Sequence, residues 1–340
     1  MSTAPQPHER PRLTLKTYSH LLAARRVPTE YEIATSHLLY YPERGFEVNV
    51  PLKEWYARYQ TGSPLTCSDW ERFRDPRETT YSQYTAIQQA REAFVDGLFR
   101  YLEETGYDRS LPEEWIGTLS RVVAPLCFPF HGFAMIASYI GQMGPSGRIT
   151  IAAMFQAADE VRRLQRIAYR TRALQLAWPG FGEDRRARWQ EDPLWQPLRE
   201  AVERLLVVYD WGEALVALNV VLKPLMDDVL MNHFARWADE QGDRLLRELF
   251  FTFDEDCRWQ REWTRALLTV AVQEDAANEG TVRRWIEKWL PLAERASGSF
   301  ASVSGKDAGE LERELRAGHA RFLRGLGLER PSVAGEGGQP

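Results

Sequence analysis

Two short stretches of this chain carry residue types and spacing that could do metal chemistry. Asp159-Glu160-Val161-Arg162-Arg163 and Asp254-Glu255-Asp256-Cys257-Arg258 both contain Asp-Glu-x-x-Arg. Two helices that each bear Glu-x-x-His, with one lone Glu from each of two further helices, suffice to hold a pair of metal ions. The i, i+3 spacing sets both ligands on one helical face. Here each Glu is present, but Arg163 and Arg258 stand where the histidines are needed. A guanidinium is permanently charged and has no lone pair to offer a metal. The two lone acids are missing as well. No carboxylate occurs between Val122 and Ile149, where Phe130 and His131 occupy the expected region, and Lys223 stands where the other acid is wanted. The expectation is a degenerate site at Glu160, Arg163, Lys223, Glu255 and Arg258. It has no metal ligand set and no catalytic residue, and its charges pair in a buried salt-bridge network.

No other constellation competes with it. Gly-x-Ser-x-Gly, His-Glu-x-x-His and Cys-x-x-Cys are absent, and the six histidines are scattered. His131 reads as a satisfied core histidine. Cys67, Cys127 and Cys257 are too far apart for a zinc spacing and read as free thiols. A net charge of −5, with Lys and Arg spread among Asp and Glu, leaves no basic footprint for nucleic acid. Hydrophobic residues at 44% and aromatic residues at 12% are enough to build a sizeable core. Met1 to Lys16 lacks the apolar centre of a signal peptide. The uncharged run Val122 to Gly147 is broken by Pro125, Pro129 and Pro145, and reads as a buried core helix rather than a membrane span.

The elements that must position the charged motifs are helical. Ile87, Ala90, Phe94, Leu98 and Tyr101 recur at i+3 and i+4. Pro112 followed by Glu113 and Glu114 starts another helix. Long helices from about Ile149 to Leu176 and from about Arg244 to Val272 carry the two motifs, and Val282 to Arg295 is strongly periodic. Residues 1–80 are an irregular arm rich in Tyr, Trp and Arg, types favoured at interface cores. The arm is expected to contact partner subunits, or else to fold back on its own bundle. Residues 81–300 form a helical domain without metal. Residues 301–340 comprise an exposed helix over Leu311 to Leu326 and a flexible tail. The fold class is all-α.

Longer stretches carry a family resemblance. Thr17-Tyr18-Ser19-His20-Leu21, Tyr31-Glu32-Ile33, Ala168-Tyr169-Arg170-Thr171-Arg172-Ala173-Leu174, Asp210 to Asn219 and Trp285 to Ala293 resemble the hydroxylase beta subunit of bacterial multicomponent di-iron monooxygenases, in the toluene and alkene branch. The resemblance spans about residues 14–300. It implies a ferritin-like helical bundle and a cytoplasmic hydroxylase built from two copies each of alpha, beta and gamma subunits. It implies a di-iron centre in alpha, and FAD, iron-sulfur clusters and NADH in a reductase, a Rieske ferredoxin and a small coupling protein. An alkene or aromatic hydrocarbon would be oxidised with O2 in alpha, and this chain would be a metal-free sibling that supports assembly. Two rivals are a stand-alone helical scaffold or binding protein and a di-metal enzyme with an unusual ligand set.

Overall fold

The computed structural model describes residues 27–36 and 51–328. Among them every regular element is helical, as expected. The stretches Thr17 to Leu21 and Phe46 to Val50, and the tail after Leu328, lie outside the described residues.

The arm supplies α1 (Glu30–Thr35), α2 (Pro51–Tyr56), a π turn (Ala57–Thr61) and a 3-10 turn (Trp70–Arg72). Its described part folds back on its own bundle. The Asp75 amide donates to the Tyr31 hydroxyl at 3.1 Å, and the Trp259 indole donates to the Asp75 carboxylate at 3.0 Å. Buried Glu32 pairs with Arg74 at 2.7 Å.

Next comes α3 (Tyr81–Glu104), opened by a capping box in which the Thr80 hydroxyl and the Gln83 side chain each serve the other's backbone. Its apolar stripe is turned outward, contrary to the helical-core reading. Phe94 is 49% and Tyr101 66% exposed, while Tyr84, Gln88, Val95 and Phe99 face inward. The polar inward face has a cause, since Gln88, Arg91 and Glu92 bind charges of the neighbouring helices.

Short α4 (Tyr107–Ser110) and α5 (Glu113–Val122) lead to a 3-10 turn (Ala124–Leu126) and α6 (Cys127–Met143). Pro125 lies in that turn and Pro129 in the first turn of α6, where no backbone N–H is needed. By length and composition α5 to α6 could cross a membrane, yet most of its residues are buried inside the bundle. Central α7 (Gly147–Ala177) packs antiparallel on α6 through a turn capped by Ser146. Then follow α8 (Arg185–Glu191) and α9 (Gln196–Leu205).

A long helical rod comes next, built from α10 (Trp211–Leu215), a π segment (Val216–Leu222), α11 (Lys223–Asp227), a second π segment (Asp228–Phe234) and α12 (Ala235–Glu240). The next helix, α13 (Arg244–Glu274), carries the second motif and α14 (Ala277–Ala301) closes the core. The last, α15 (Ala308–Gly325), is docked rather than exposed. Leu311, Leu315, His319 and Leu323 are buried at i+4 steps, and Leu328 is buried beyond the helix. The His319 Nε2 lies 2.8 Å from the Val220 carbonyl. Pro224, four residues after Val220, has no N–H to give that carbonyl the ordinary helical bond.

Candidate functional site

The first motif reaches the middle of the bundle. Glu160 and Arg163 on α7 are both fully buried, and the Arg163 Nη1 lies 3.2 and 3.1 Å from the two Glu160 oxygens. On the rod, two π segments, each a widened turn often found at functional positions, bracket α11. Both of its end residues face this pair. The Lys223 Nζ sits 2.8 Å from Glu160 and 3.2 Å from Asp227. The Arg163 guanidinium also donates to the Phe253 carbonyl at 3.1 Å and to the Cys257 Sγ at 3.0 Å. Arg261 approaches Asp227 at 4.0 Å and Asp254 at 3.4 Å from the rim. Phe133 lies under the ammonium, its ring centroid 5.2 Å from the Lys223 Nζ.

Electrostatics follow from burial and pairing. Burial alone would push Lys223 toward neutrality, and Arg163 repels its charge. Asp227 and Glu160 overcome both and hold it above its usual range. Burial likewise opposes ionisation of Asp227, but Lys223, Arg163 and Arg261 hold its carboxyl below the usual range. Burial pushes the Cys257 thiol far up, so it stays protonated. The centre therefore sets the carboxylates Glu160, Asp227 and Asp254 against the cations Arg163, Lys223 and Arg261.

The second motif does not converge as expected. Glu255 is 38% exposed and pairs with Arg91 at 3.1 Å on the rim. Arg258 is 57% exposed and pairs with Asp254 at 2.7 Å. The buried phase of α13 runs instead through Phe253, Asp256, Cys257, Gln260 and Thr264. Asp256 thus matches Asp159, Cys257 sits opposite Glu160, and Gln260 holds the place of Arg163. Sequence reasoning aligned the motifs two residues out of phase, and it missed Asp227 and Cys257. The signal was available: the apolar 3–4 spacing of Leu246, Leu249, Phe250, Phe253, Cys257 and Thr264 places Glu255, Arg258 and Glu262 on the outer face. His131 is exposed at the opposite surface of α6, and is not a core histidine.

A second polar layer lies one turn away. Asp256 is held by Arg91, by the Arg162 Nη1 at 3.0 Å and by the Gln88 amide at 3.1 Å. Asp159 accepts from the Tyr84 hydroxyl at 2.8 Å and from the Gln88 amide at 2.7 Å, with no cation of the described residues at ion-pair distance. Burial first, and the Asp256 charge second, drive its carboxyl well above the usual range.

These residues do not fit a di-metal centre. The Arg163 guanidinium and the Lys223 ammonium divide the carboxylates, the thiol is protonated, and among the described residues no histidine lies at the cluster. Among the described residues no group of three His, Cys, Asp or Glu is arranged to hold a metal ion.

Known proteins give the context of this arrangement. A family model of methane, phenol and alkene hydroxylases matches residues 55–275. The chain is 36% identical over 300 residues to the hydroxylase component subunit beta of the toluene-4-monooxygenase system of Ectopseudomonas mendocina, covering 86% of this chain and 91% of that one. The chain belongs to the methane/phenol/alkene hydroxylase family. Within the family it is a homologue of the hydroxylase beta subunits of bacterial multicomponent monooxygenases. It is 28% identical to the phenol 2-monooxygenase oxygenase component DmpL of Pseudomonas sp. strain CF600, over 79% of this chain and 81% of that one. It superposes on a chain of toluene 4-monooxygenase, solved with toluene in its resting active site, with a TM-score of 0.81 at 34% identity, covering 90% of this chain and all of that one. The family's helical bundle is thus the frame in which the ion cluster sits.

Proposed function

We propose that this chain is the non-catalytic beta subunit of the hydroxylase component of a cytoplasmic multicomponent monooxygenase acting on an alkene or aromatic hydrocarbon. The observation that carries this reading is the Lys223 ammonium lodged 2.8 Å from Glu160, with the Arg163 guanidinium on the same carboxylate. A helical bundle that could carry a metal pair carries ion pairs instead, so its contribution is structural. Oxidation by O2 then belongs to a di-iron alpha subunit, and electrons from NADH to a reductase with FAD and iron-sulfur clusters and to a Rieske ferredoxin. A gamma subunit and a coupling protein complete the system, with two copies each of alpha, beta and gamma. The N-terminal 80 residues add partner contacts around the bundle, which comprises residues 81–300. Arg163 acts here as a structural cation, and the chain provides neither proton donor nor oxygen site to substrate.

The test is to purify the native hydroxylase, separate its subunits under mild conditions, and measure iron in each. Iron is expected only in the alpha chain. Stoichiometric iron in this chain, or catalytic turnover by it alone, would overturn the reading. An Arg163→His variant is expected to stay iron-free, because Lys223 still occupies the centre and the described residues bring no second histidine there.

A further inference from the structure

The C-terminal helix α15 meets the rod at two histidines. His319 on α15 is 3% exposed, and its Nε2 lies 2.8 Å from the Val220 carbonyl. A carbonyl only accepts, so Nε2 carries the proton and Nδ1 is a bare acceptor. That Nδ1 is buried without a hydrogen-bond partner. Nearer the start of α15, Glu314 faces His233 of the rod. The His233 Nδ1 is also buried, and at 3.7 Å from the Glu314 carboxylate it makes no hydrogen bond. Lys306 already holds that carboxylate at 3.2 Å. Each docked ring therefore has a buried nitrogen with no acceptor in place for a second proton.

The charges around the two rings do not supply that acceptor. A cavity of about 220 Å³ opens beside His319 and gives a proton its way in. Asp228 of the rod, Arg261 of α13 and Arg321 of α15 line it, one acid against two cations. Among the described residues no acid reaches His319 at ion-pair distance. From α14, Glu294 and Arg295 line a separate groove at Leu315 and Arg316. Burial pushes both imidazoles below the usual histidine range. The Val220 carbonyl opposes it at His319; at His233, Asp228 and Glu314 oppose it while Lys306 and Arg236 add to it. The rest of the hold on α15 is narrow. Leu311, Leu315 and Leu323 are buried on one line, and a Cβ at Gly318 would lie 3.2 Å from the Asp228 Oδ2, so α15 and rod approach closely there. Glu310, Arg313, Arg316, Arg321 and Arg324 are exposed, which keeps the other faces of the helix soluble. The link to α14, residues 302–307, turns at Gly305 with a φ of 76°.

We propose that α15 is a latch released by acid: it docks on the rod only while His319, and to a lesser degree His233, is neutral. A second proton on a docked His319 sets a buried N–H against no acceptor and a buried charge against no acid. Swinging away on the 302–307 link exposes the ring to water, where the charge is solvated. The undocked helix thus binds more protons than the docked one. By linkage, docking is at full strength above the ordinary histidine pKa of about 6.5 and weakens as pH falls below it. The docking equilibrium loses up to about tenfold per pH unit for each titrating histidine. His319 is the stronger trigger, because protonated His233 gains attraction from Glu314 that His319 does not have.

Hydrogen–deuterium exchange of the full-length chain at about pH 8 and about pH 5, corrected for the intrinsic pH dependence of amide exchange, reads the opening of α15 against the rest of the bundle. At the acid pH α15 is expected to lose protection at least tenfold, while α7 and α13 keep theirs. In His319→Gln the side-chain amide still donates to the Val220 carbonyl and does not titrate, so the acid loss should shrink to less than threefold. His233→Gln should reduce it by a smaller factor, and His319→Phe, which has no donor, should open α15 at both pH values. Unchanged protection of wild-type α15 at the acid pH would overturn the latch, and so would an equal loss in His319→Gln. A loss spread evenly over α7, α13 and α15 would also overturn it, since that is unfolding of the whole chain. Where His319→Gln does not dock at about pH 8, nitrogen-15 shifts of the wild-type histidine rings decide. A ring at position 319 that stays neutral for as long as α15 is protected supports the latch, and an imidazolium there in a docked helix overturns it.

Discussion

Asp159 and Asp256 occupy matching positions on two helices that cross the same bundle, yet the protein treats them in opposite ways. Asp256 is gripped by two guanidinium groups and a side-chain amide. Asp159, equally buried, has a phenol and amides for company. The difference shows that burial alone does not decide whether a carboxylate stabilises a fold. A buried carboxylate contributes when a cation shares the burial, and costs when none does. Glu160 and Asp227 belong with Asp256: each faces cations at short range.

The largest expected effect tests the deepest pairing. Arg163→Ala leaves Glu160 and Lys223 with an unbalanced pocket and removes donors from the Phe253 carbonyl and Cys257. Denaturant unfolding should show a loss of about 3–5 kcal/mol, the range for breaking a buried pair from one side. A loss below about 1 kcal/mol would mean that water already reaches the cluster.

Asp256→Asn comes next, at about 2 kcal/mol, because Arg162 keeps Glu92 and Arg91 keeps Glu255 as partners. Asp159→Asn should reverse the sign and stabilise at pH 7. The wild-type carboxyl has a raised folded pKa, so its contribution falls as pH rises past the unfolded value of about 3.9. The advantage of the Asn variant should therefore be smallest near pH 3 and grow toward neutrality. Asp227→Asn should behave oppositely. Its folded pKa is depressed, so the stability it provides is present above pH 4 and lost as pH falls through the folded value. Melting curves of both variants between pH 3 and pH 8 measure this, and parallel pH profiles would refute the contrast. Smallest of all is Arg258→Ala, a rim pair, expected within about 0.5 kcal/mol in the same unfolding assay.

Much of this was legible in the sequence because helices announce their buried face by spacing. The long helices and the absence of strands among the described residues follow from periodicity and residue type, and the meeting of Glu160, Arg163 and Lys223 follows from laying the motifs on a four-helix di-metal bundle. What escaped has physical reasons. A motif of charged residues can be laid on a helix in two phases, and only the surrounding apolar residues say which is inward; Asp-Glu at 254–255 matched by letter, Asp256-Cys257 by burial. Asp227 follows Lys223 by four residues but sits in a rod whose π segments shift the register, which a 3.6-residue period cannot reveal. The stripe of α3 was read as core because an apolar face usually is, whereas its polar face satisfies buried arginines. Helix α15 looked exposed because its sequence is rich in charge, yet one line of Leu311, Leu315, His319 and Leu323 at i+4 steps was enough to dock it. Removal of the tail should accordingly begin after Leu328, which is buried.

The contact between His319 and Val220 spans 99 residues of chain. A ribosome adds about 5–20 residues each second. The Val220 carbonyl therefore waits roughly 5–20 s after its own synthesis before the imidazole that binds it has been made. During that interval the rod bearing Lys223 and Asp227 has no C-terminal helix against it. Once made, α15 covers the flank of that rod, so the burial of the rod beside the charged centre is completed by a segment that follows it by about a hundred residues.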